Sequence, residues 1–145
     1  MSVWTSLVDE HTKLQVSSRL DKSVGKQNLV DGSPETCWTS QQGAPQYIQL
    51  NFACVVLPKR ITFTFQGGFV GTRCSVKFLG AEGQTKWQNW TQIYPEDVNR
   101  QQTFDLPEEA TADSGIKTIQ LVFEESSDFF GRITVYDLKV EGLKV

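Results

Sequence analysis

The sequence is poor in the residues that build covalent cross-links, metal centres and catalytic sites. Its three cysteines, Cys37, Cys54 and Cys74, are odd in number and lack CxxC or CxxxC spacing, which argues against a disulfide framework and the usual zinc sites. His11 is the only histidine and lies in a polar segment, so no nucleophile–base arrangement is visible. No glycine-rich phosphate cradle precedes a helix. We expect no enzyme activity, no required cofactor, and buried packing roles for the cysteines.

Long apolar runs and clusters of like charge are also missing. No segment approaches the roughly 18 apolar residues of a membrane span, and the first residues lack the pattern of a signal peptide. The formal net charge is −3, and lysine and arginine form no run. Direct nucleic-acid binding and membrane binding therefore have no electrostatic support. These absences predict an intracellular protein.

Alternation of apolar and polar residues with a period of two dominates the chain. Four segments show it: YIQLNF, ITFTFQ, CSVKF and TIQLVFE. Such alternation, rich in β-branched and aromatic residues, is typical of half-buried strands. The residues predicted to face inward are Ile48, Leu50, Phe52, Ile61, Phe63, Phe65, Cys74, Val76, Phe78, Ile119, Leu121 and Phe123.

These strands and the chain length predict the fold class. The 145 residues are expected to form one domain, residues 1–145, folded as an all-β jelly-roll sandwich of about eight strands. The segment DLPEEATADSG, residues 105–115, is expected to hold one short helical turn that starts at Pro107 and ends at Gly115.

The last predicted strand, RITVYDLKVEG, contains a break in phase. Ile133 and Val135 share one face, and Leu138 and Val140 share one face, but the two pairs are out of step by one residue. A β-bulge inserts one extra residue into a strand and corrects such a mismatch. We predict a bulge near residues 136–137.

The loop QNLVDGSPETCW supports two interpretations. Asp31 supplies a carboxylate and Thr36 a hydroxyl, within a chain turned by a glycine and stiffened by a proline. With backbone carbonyls, and with Glu141 as a second carboxylate, these are the hard oxygens that calcium prefers. Alternatively, Asp31 only caps the backbone N–H groups of a turn. In both interpretations Trp38 fills the end of the core.

The same loop, followed by PQYIQLNF and closed by YDLKVEG, resembles the discoidin, or coagulation-factor type C, galactose-binding-like superfamily. The resemblance covers nearly the whole chain and implies a β-sandwich. In calcium-bearing members it places ligands on this loop and on the acidic residue that closes the last strand. The candidate ligands of a structural calcium ion that it implies here are Asn28, Asp31, Ser33, Thr36, Val140 and Glu141.

A narrower resemblance rests on the segments FQGGF, YPED, QTF and DFFGR and on the GLKV tail. They resemble a family of small intracellular nuclear receptor-associated proteins within that superfamily, described as repressing the receptor's transcriptional activity. The resemblance implies a protein partner, with a nuclear receptor as the candidate, and a location in the nucleus and cytoplasm. More distantly, the chain is similar to the discoidin-like subunit of the intraflagellar transport complex, which binds calcium.

Two loops, QGGFVGTR and ESSDFFGR, combine glycine, phenylalanine and arginine. We expect both at the end of the sandwich opposite the termini. Aromatic residues and arginine dominate the energetics of protein interfaces. The predicted partner-binding residues are Gln66, Gly67, Gly68, Phe69, Arg73, Asp128, Phe129, Phe130 and Arg132. The alternative is that a phenylalanine seals the core and that Arg132 only pairs with Asp128.

Together these observations predict a non-catalytic interaction module that regulates nuclear receptor-dependent transcription by binding a protein. The chain contains no LxxLL motif, so such a contact would use a folded surface. Two alternatives stay open: a calcium-supported carbohydrate-binding module, and a subunit of a larger assembly such as an intraflagellar transport complex. A glycan partner is not expected, because a chain without a secretory signal rarely meets extracellular glycans.

Overall fold

A computed structural model describes residues 3–81, 85–108 and 112–145. These residues form nine strands and three short 3-10 helices. The strands are β1 (Thr5–Ser6), β2 (Lys13–Val16), β3 (Trp38–Thr39), β4 (Gln46–Phe65), β5 (Gly71–Gly80), β6 (Gln88–Ile93), β7 (Gln101–Asp105), β8 (Ile116–Ser126) and β9 (Thr134–Lys144). The 3-10 helices are Lys22–Val24, Lys26–Leu29 and Ala112–Ser114. No helix in this described part of the chain has the length and hydropathy needed to cross a membrane.

Strand β4, 20 residues long, belongs to both layers of the sandwich. Its first half pairs with β2 and β8. In the same layer β8 pairs with β5, and β5 pairs with β6. Its second half pairs with β7 and β9, and β9 also pairs with β1 and β3. All of these pairings are antiparallel. The layers face each other, since the Phe63 and Phe65 rings of the second half lie 5.9 and 5.8 Å from the Phe123 ring of β8.

The core confirms the predicted alternation. Each of the twelve residues predicted to face inward is buried. Trp38 is fully buried at the end of the core, and its indole N–H donates to the carbonyl oxygen of Ser18 at 2.8 Å. The all-β sandwich is therefore confirmed, with nine strands among the described residues compared with the eight or so expected.

The predicted bulge in β9 is also confirmed. Thr64 of β4 lies opposite Asp137 and the next residue, Phe65, lies opposite Val135, so that Tyr136 is the extra residue. The bulge restores the phase of the strand, because Val135 before position 136 and Leu138 and Val140 after it are all buried.

Two local predictions need correction. The helical turn is the 3-10 helix Ala112–Ser114, which ends before Gly115 but does not start at Pro107; residues 109–111 of that segment lie outside the described residues. The Pro107 carbonyl instead accepts the indole N–H of Trp90 at 2.9 Å, which keeps the chain extended beyond β7.

Cys74 is buried as expected, but Cys54 is exposed and Cys37 half-buried. Cys54 lies where β4 passes between the layers and the alternation of buried residues stops.

Candidate functional site

The loops that follow β4 and β8 meet at one pole of the sandwich. The backbone N–H of Thr134, at the start of β9, donates to the Phe69 carbonyl at 3.0 Å, and the N–H of Ser127 donates to the Val70 carbonyl at 2.9 Å. These bonds bring the two predicted aromatic loops, residues 66–70 and 127–133, side by side.

Four side chains at this pole form a cluster that we call the aromatic tip: Phe69, Phe129, Phe130 and Arg132. Phe129 is 93% exposed and Phe130 53% exposed, whereas Phe69 is half-buried. The Phe129 and Phe130 rings meet edge to face with their centroids 5.2 Å apart. The Arg132 guanidinium carbon lies 5.1 Å from the Phe69 centroid and 5.8 Å from the Phe130 centroid. Arg132 thus links aromatic rings from both loops through cation–π contacts.

Asp128 holds the loop that displays these rings. Its carboxylate accepts the backbone N–H of Arg132 at 3.0 Å and the side-chain Nε–H at 2.9 Å. Ser126 closes the loop from the other side, because its hydroxyl donates to the Arg132 carbonyl at 2.7 Å and accepts the Asp128 N–H at 3.0 Å. Side-chain bonds to nearby backbone groups are the usual means of fixing short turns. The exposed rings therefore sit on an ordered loop.

Charge at the tip is balanced. The Arg132 side chain, which donates hydrogen bonds to Asp128, lowers the pKa of that carboxyl below its usual value, and Asp128 in turn raises the pKa of Arg132. The Asp128 side chain is only 10% exposed and the Arg132 side chain 30% exposed. The ion pair leaves the exposed part of the tip largely apolar. Arg132 thus pairs with Asp128, as the alternative interpretation expects. Phe129 and Phe130 nevertheless stay exposed and do not seal the core.

The turn of Gln66, Gly67 and Gly68 supports the tip from below. The N–H of Gly68 donates to the Asp97 carboxylate at 2.7 Å, and the N–H of Gly67 donates to the Asn99 side-chain oxygen. Sequence reasoning did not single out Asp97 and Asn99 as supports. Their loop follows β6, and no periodic pattern connects it with the loop after β4; the turn-forming composition of YPEDVN was the available signal.

Arg73 is the remaining predicted partner-binding residue. It is in β5, and its guanidinium forms an ion pair with Glu125 of β8 at 3.4 Å. Extended strands direct neighbouring side chains to opposite faces, so a position four residues beyond Phe69 does not ensure contact with it.

The loop around Asp31 forms a hydrogen-bonded turn. The Asp31 carboxylate accepts the N–H of Ser33 at 3.0 Å and the hydroxyl of Thr36 at 2.5 Å, and these bonds lower its pKa, the Thr36 bond most. The Asn28 amide nitrogen donates to the carbonyl of Cys37 at 2.9 Å. The loop therefore has the hydrogen bonds of the capped turn that the alternative interpretation describes.

The β9 half of that set has other partners. The Val140 carbonyl accepts the Leu7 N–H at 2.8 Å, and Glu141 lies in the β1–β9 ladder opposite Ser6 with its residue half-buried. Over the described ranges, no group of three histidine, cysteine, aspartate or glutamate side chains is arranged to hold a metal ion. Asp31, Thr36 and Glu141 have oxygen chemistry suited to calcium, and the calcium site stays a prediction.

Comparison with known proteins identifies close relatives in sequence. The chain is 39% identical over 145 residues to the nuclear receptor 2C2-associated protein of Danio rerio, covering 96% of each chain. It is 36% identical over 143 residues to the human protein of that name, covering 97% of this chain and 98% of the relative. No protein-family model matches the chain.

Solved structures share its fold. The family 32 carbohydrate-binding module of Clostridium perfringens NanJ, in complex with galactose, superimposes with a TM-score of 0.76 at 16% identity, over 96% of this chain and 99% of that one. The F5/8 type C domain of a Bacteroides fragilis protein superimposes with a TM-score of 0.76 at 12% identity, over 98% of both chains. The fold is therefore that of the discoidin, galactose-binding-like β-sandwiches.

Proposed function

The chain belongs to the family of nuclear receptor 2C2-associated proteins, and we propose on this premise that it is a non-enzymatic protein-binding module that regulates nuclear receptor-dependent transcription. The proposal treats residues 1–145 as one domain. It assigns partner binding to the aromatic tip. The names of the relatives support association with a nuclear receptor.

The exposure of Phe129 and Phe130 is the observation that carries this proposal. Exposing adjacent large aromatic rings to water is unfavourable, and contiguous apolar surface of this kind marks binding sites. Phenylalanine and arginine set on an ordered loop also bind at a lower entropic cost than flexible side chains. The hydrogen bonds of Asp128 and Ser126 supply that order.

The composition of the tip indicates the kind of contact. Asp128 neutralises Arg132, so the accessible part offers apolar and aromatic surface rather than net charge. The partner surface that complements it is an apolar depression able to receive the Phe129 ring. Because the chain has no LxxLL motif, this contact replaces the short amphipathic helix by which many coregulators bind receptors.

Binding to purified nuclear receptor 2C2 tests the proposal directly. Phe129→Ala/Phe130→Ala is expected to weaken binding about 30-fold, the equivalent of losing about 2 kcal/mol from an interface centre. Trp87→Ala serves as the control. Trp87 is a partly exposed aromatic residue directly before β6, whereas the loop that supports the tip follows the end of β6. The control variant should bind as wild type does.

Unfolding measurements keep this test interpretable. The double variant removes exposed rings, so its melting temperature should stay within about 2 °C of wild type. Unchanged receptor binding by a folded double variant, or an equal loss in Trp87→Ala, would contradict the assignment to the tip. Affinity purification from cells with mass spectrometry, comparing the same three proteins, extends the test to other partners.

Carbohydrate binding is the second function considered. The discriminating feature is a concave site where arginine or histidine holds sugar hydroxyls beside an aromatic ring. A cavity of about 470 Å³ next to the tip is lined by Pro34, Thr64, Phe65, Gln66, Asn99 and Tyr136, with no arginine or histidine among these described residues. The lining of this cavity does not favour a glycan. Reproducible binding on a glycan array would make carbohydrate binding the better proposal.

We also propose a location in the nucleus and cytoplasm, supported by the names of the relatives. Imaging of the tagged protein in cells checks it, and exclusive localisation to another compartment would contradict it. Stable co-purification with ciliary transport proteins would instead indicate a subunit of a larger assembly.

A further inference from the structure

A groove runs along one side of the sandwich, between β2 and the 3-10 helix Lys26–Leu29. Two adjoining cavities of about 450 and 380 Å³ form it, and Gln15, Lys26 and Gln27 line both. Its length along β2 covers three strand steps of about 3.3 Å, or about 10 Å in all. We call it the basic groove, and its lining follows β2 over the whole length of that strand.

The charge of the basic groove is opposite to that of the whole chain. Lys13, Arg19 and Lys26 line it and are exposed, and no aspartate or glutamate is among its described lining residues. The chain as a whole carries a formal net charge of −3. Local positive potential on an acidic protein attracts and orients anionic partners.

Two carboxylates lie on the flanking segment, and hydrogen bonds from Ser23 and the nearby charge of Arg19 lower the pKa of one of them, Asp21. Asp21 accepts the N–H of Ser23 at 2.8 Å, and Asp31 accepts the N–H of Ser33 and the hydroxyl of Thr36. Each carboxylate accepts hydrogen bonds within its own turn. Among the described residues, Lys13, Arg19 and Lys26 form no ion pair within 4 Å, so their charged groups can pair with a ligand.

Strand β2 also presents an open edge to the groove. Among the described strands only β4 pairs with it. Ser17 donates its N–H to Tyr47 at 3.0 Å, and backbone bonding alternates along an antiparallel pair. Leu14 and Val16 therefore direct their backbone N–H and C=O groups away from β4. An unpaired edge of this kind is a template for the addition of another strand.

We propose that the basic groove binds an extended acidic segment of a protein partner, which pairs with the edge of β2 and places its carboxylates near Lys13, Arg19 and Lys26. A second copy of this chain does not suit the groove, because two such edges would bring like charges together. A nucleic acid suits it less well, since its lining includes the apolar Leu14 and Val16 beside unpaired backbone groups. No residue of the aromatic tip is among the described residues that line this groove.

An NMR titration of the full-length ¹⁵N-labelled protein tests the proposal. The probe is an acetylated and amidated eight-residue peptide of alternating glutamate and valine. Chemical-shift changes are expected at residues 12–19 and 26–30. A peptide of alternating lysine and valine should leave these signals unchanged. Changes scattered over other surfaces, or none at millimolar peptide, would overturn the proposal.

Two charge-matched variants sharpen the test. Lys13→Glu/Lys26→Glu is expected to weaken peptide binding at least tenfold, whereas Lys86→Glu/Lys139→Glu, with the same change in net charge outside the groove, should change it less than twofold. Equal losses in the two variants would mean that only overall charge matters, and would refute the groove. Tighter binding of a single-stranded oligonucleotide than of the acidic peptide would also refute it.

The aromatic tip provides an independent reference. Phe129→Ala/Phe130→Ala should bind the acidic peptide as wild type does. Failure of the groove variants to lose peptide binding would leave the proposed function of the tip intact. Failure of the tip variant to lose receptor binding would likewise leave the groove proposal intact.

Discussion

Gly131→Ala tests whether the loop that displays Phe129 and Phe130 is locked against its neighbour. Gly131 has φ of +84°, and a Cβ atom built on it lies 2.9 Å from both the backbone nitrogen and the carbonyl carbon of Gly43. The N–H of Gly43 donates to the Phe130 carbonyl at 2.8 Å. Because the neighbour is backbone, it cannot rotate away as a flexible side chain would.

The expected cost has two parts. An L-residue in the left-handed region costs about 1–2 kcal/mol, partly offset by about 0.4–1 kcal/mol from the less flexible unfolded chain. Gly68→Ala isolates this part, since Gly68 has φ of +88° and its added Cβ meets nothing within 4 Å. Forcing the Gly131 methyl group against backbone adds about 1–3 kcal/mol. We expect losses of about 1 kcal/mol for Gly68→Ala and about 2–4 kcal/mol for Gly131→Ala.

Urea unfolding followed by tryptophan fluorescence measures both free energies under one condition. The difference between the two variants is the quantity that matters, because their backbone terms largely cancel. A Gly131→Ala variant no less stable than Gly68→Ala would show that the close contact between Gly131 and Gly43 does not restrain the loop that displays the aromatic rings. The ordered display of the aromatic rings would then lose its structural basis.

Three further predictions concern metal, pH and thiol chemistry. Asp31→Asn and Glu141→Gln should each abolish any calcium-dependent rise in melting temperature, whereas a melting temperature unaffected by EDTA in wild type would identify the loop as a turn only. Asp128→Asn should cost about 0.5–1 kcal/mol at pH 6. The pKa of Asp128 is lowered on folding from its ordinary 3.8, so this stabilisation is present above about pH 4 and is lost as pH falls through the folded pKa; urea unfolding from pH 6 to 3 checks it, and a pH-independent difference would contradict it. Iodoacetamide should label the exposed Cys54 in the native protein but Cys74 only after unfolding, because burial raises the pKa of the Cys74 thiol; mass spectrometry measures both, and native labelling of Cys74 would contradict its burial.

The strands could be predicted because their side chains obey one local rule. Each inward residue of the four alternating segments is buried in the structure. The phase break around Tyr136 predicted the bulge for the same reason, since burying both Val135 and Leu138 requires one extra residue. These predictions depended only on neighbouring residues.

Features that depend on distant pairing could not be predicted in this way. Thr62 has the outward phase of its strand yet is nearly buried, because β7 pairs alongside and its Thr103 hydroxyl lies 3.3 Å away. Strand β2 alternates over only four residues, KLQV, which is too short a pattern to indicate a strand, and it forms because the edge of β4 is available to it. Such effects arise from contacts made only in the folded chain.

The candidate site was predictable in part. Phenylalanine beside glycine and arginine indicated Phe69, Phe129, Phe130 and Arg132, which the structure brings together. Arg73 was predicted because it follows Phe69 in a loop rich in glycine, but it lies in β5 and forms an ion pair with Glu125, and its part in partner binding stays a prediction. A residue's direction in a strand depends on register, which loop composition does not specify.

Strand β4 gives the two layers a shared backbone segment. The residues between Asn51 and Val56 join the half of β4 in one layer to the half in the other without a loop. Loss of order in one layer therefore reaches the other within a few peptide units of the same strand. An isolated layer would lose its central strand and with it the hydrogen bonds on both of that strand's edges. The sandwich is therefore expected to gain and lose its order as one cooperative unit.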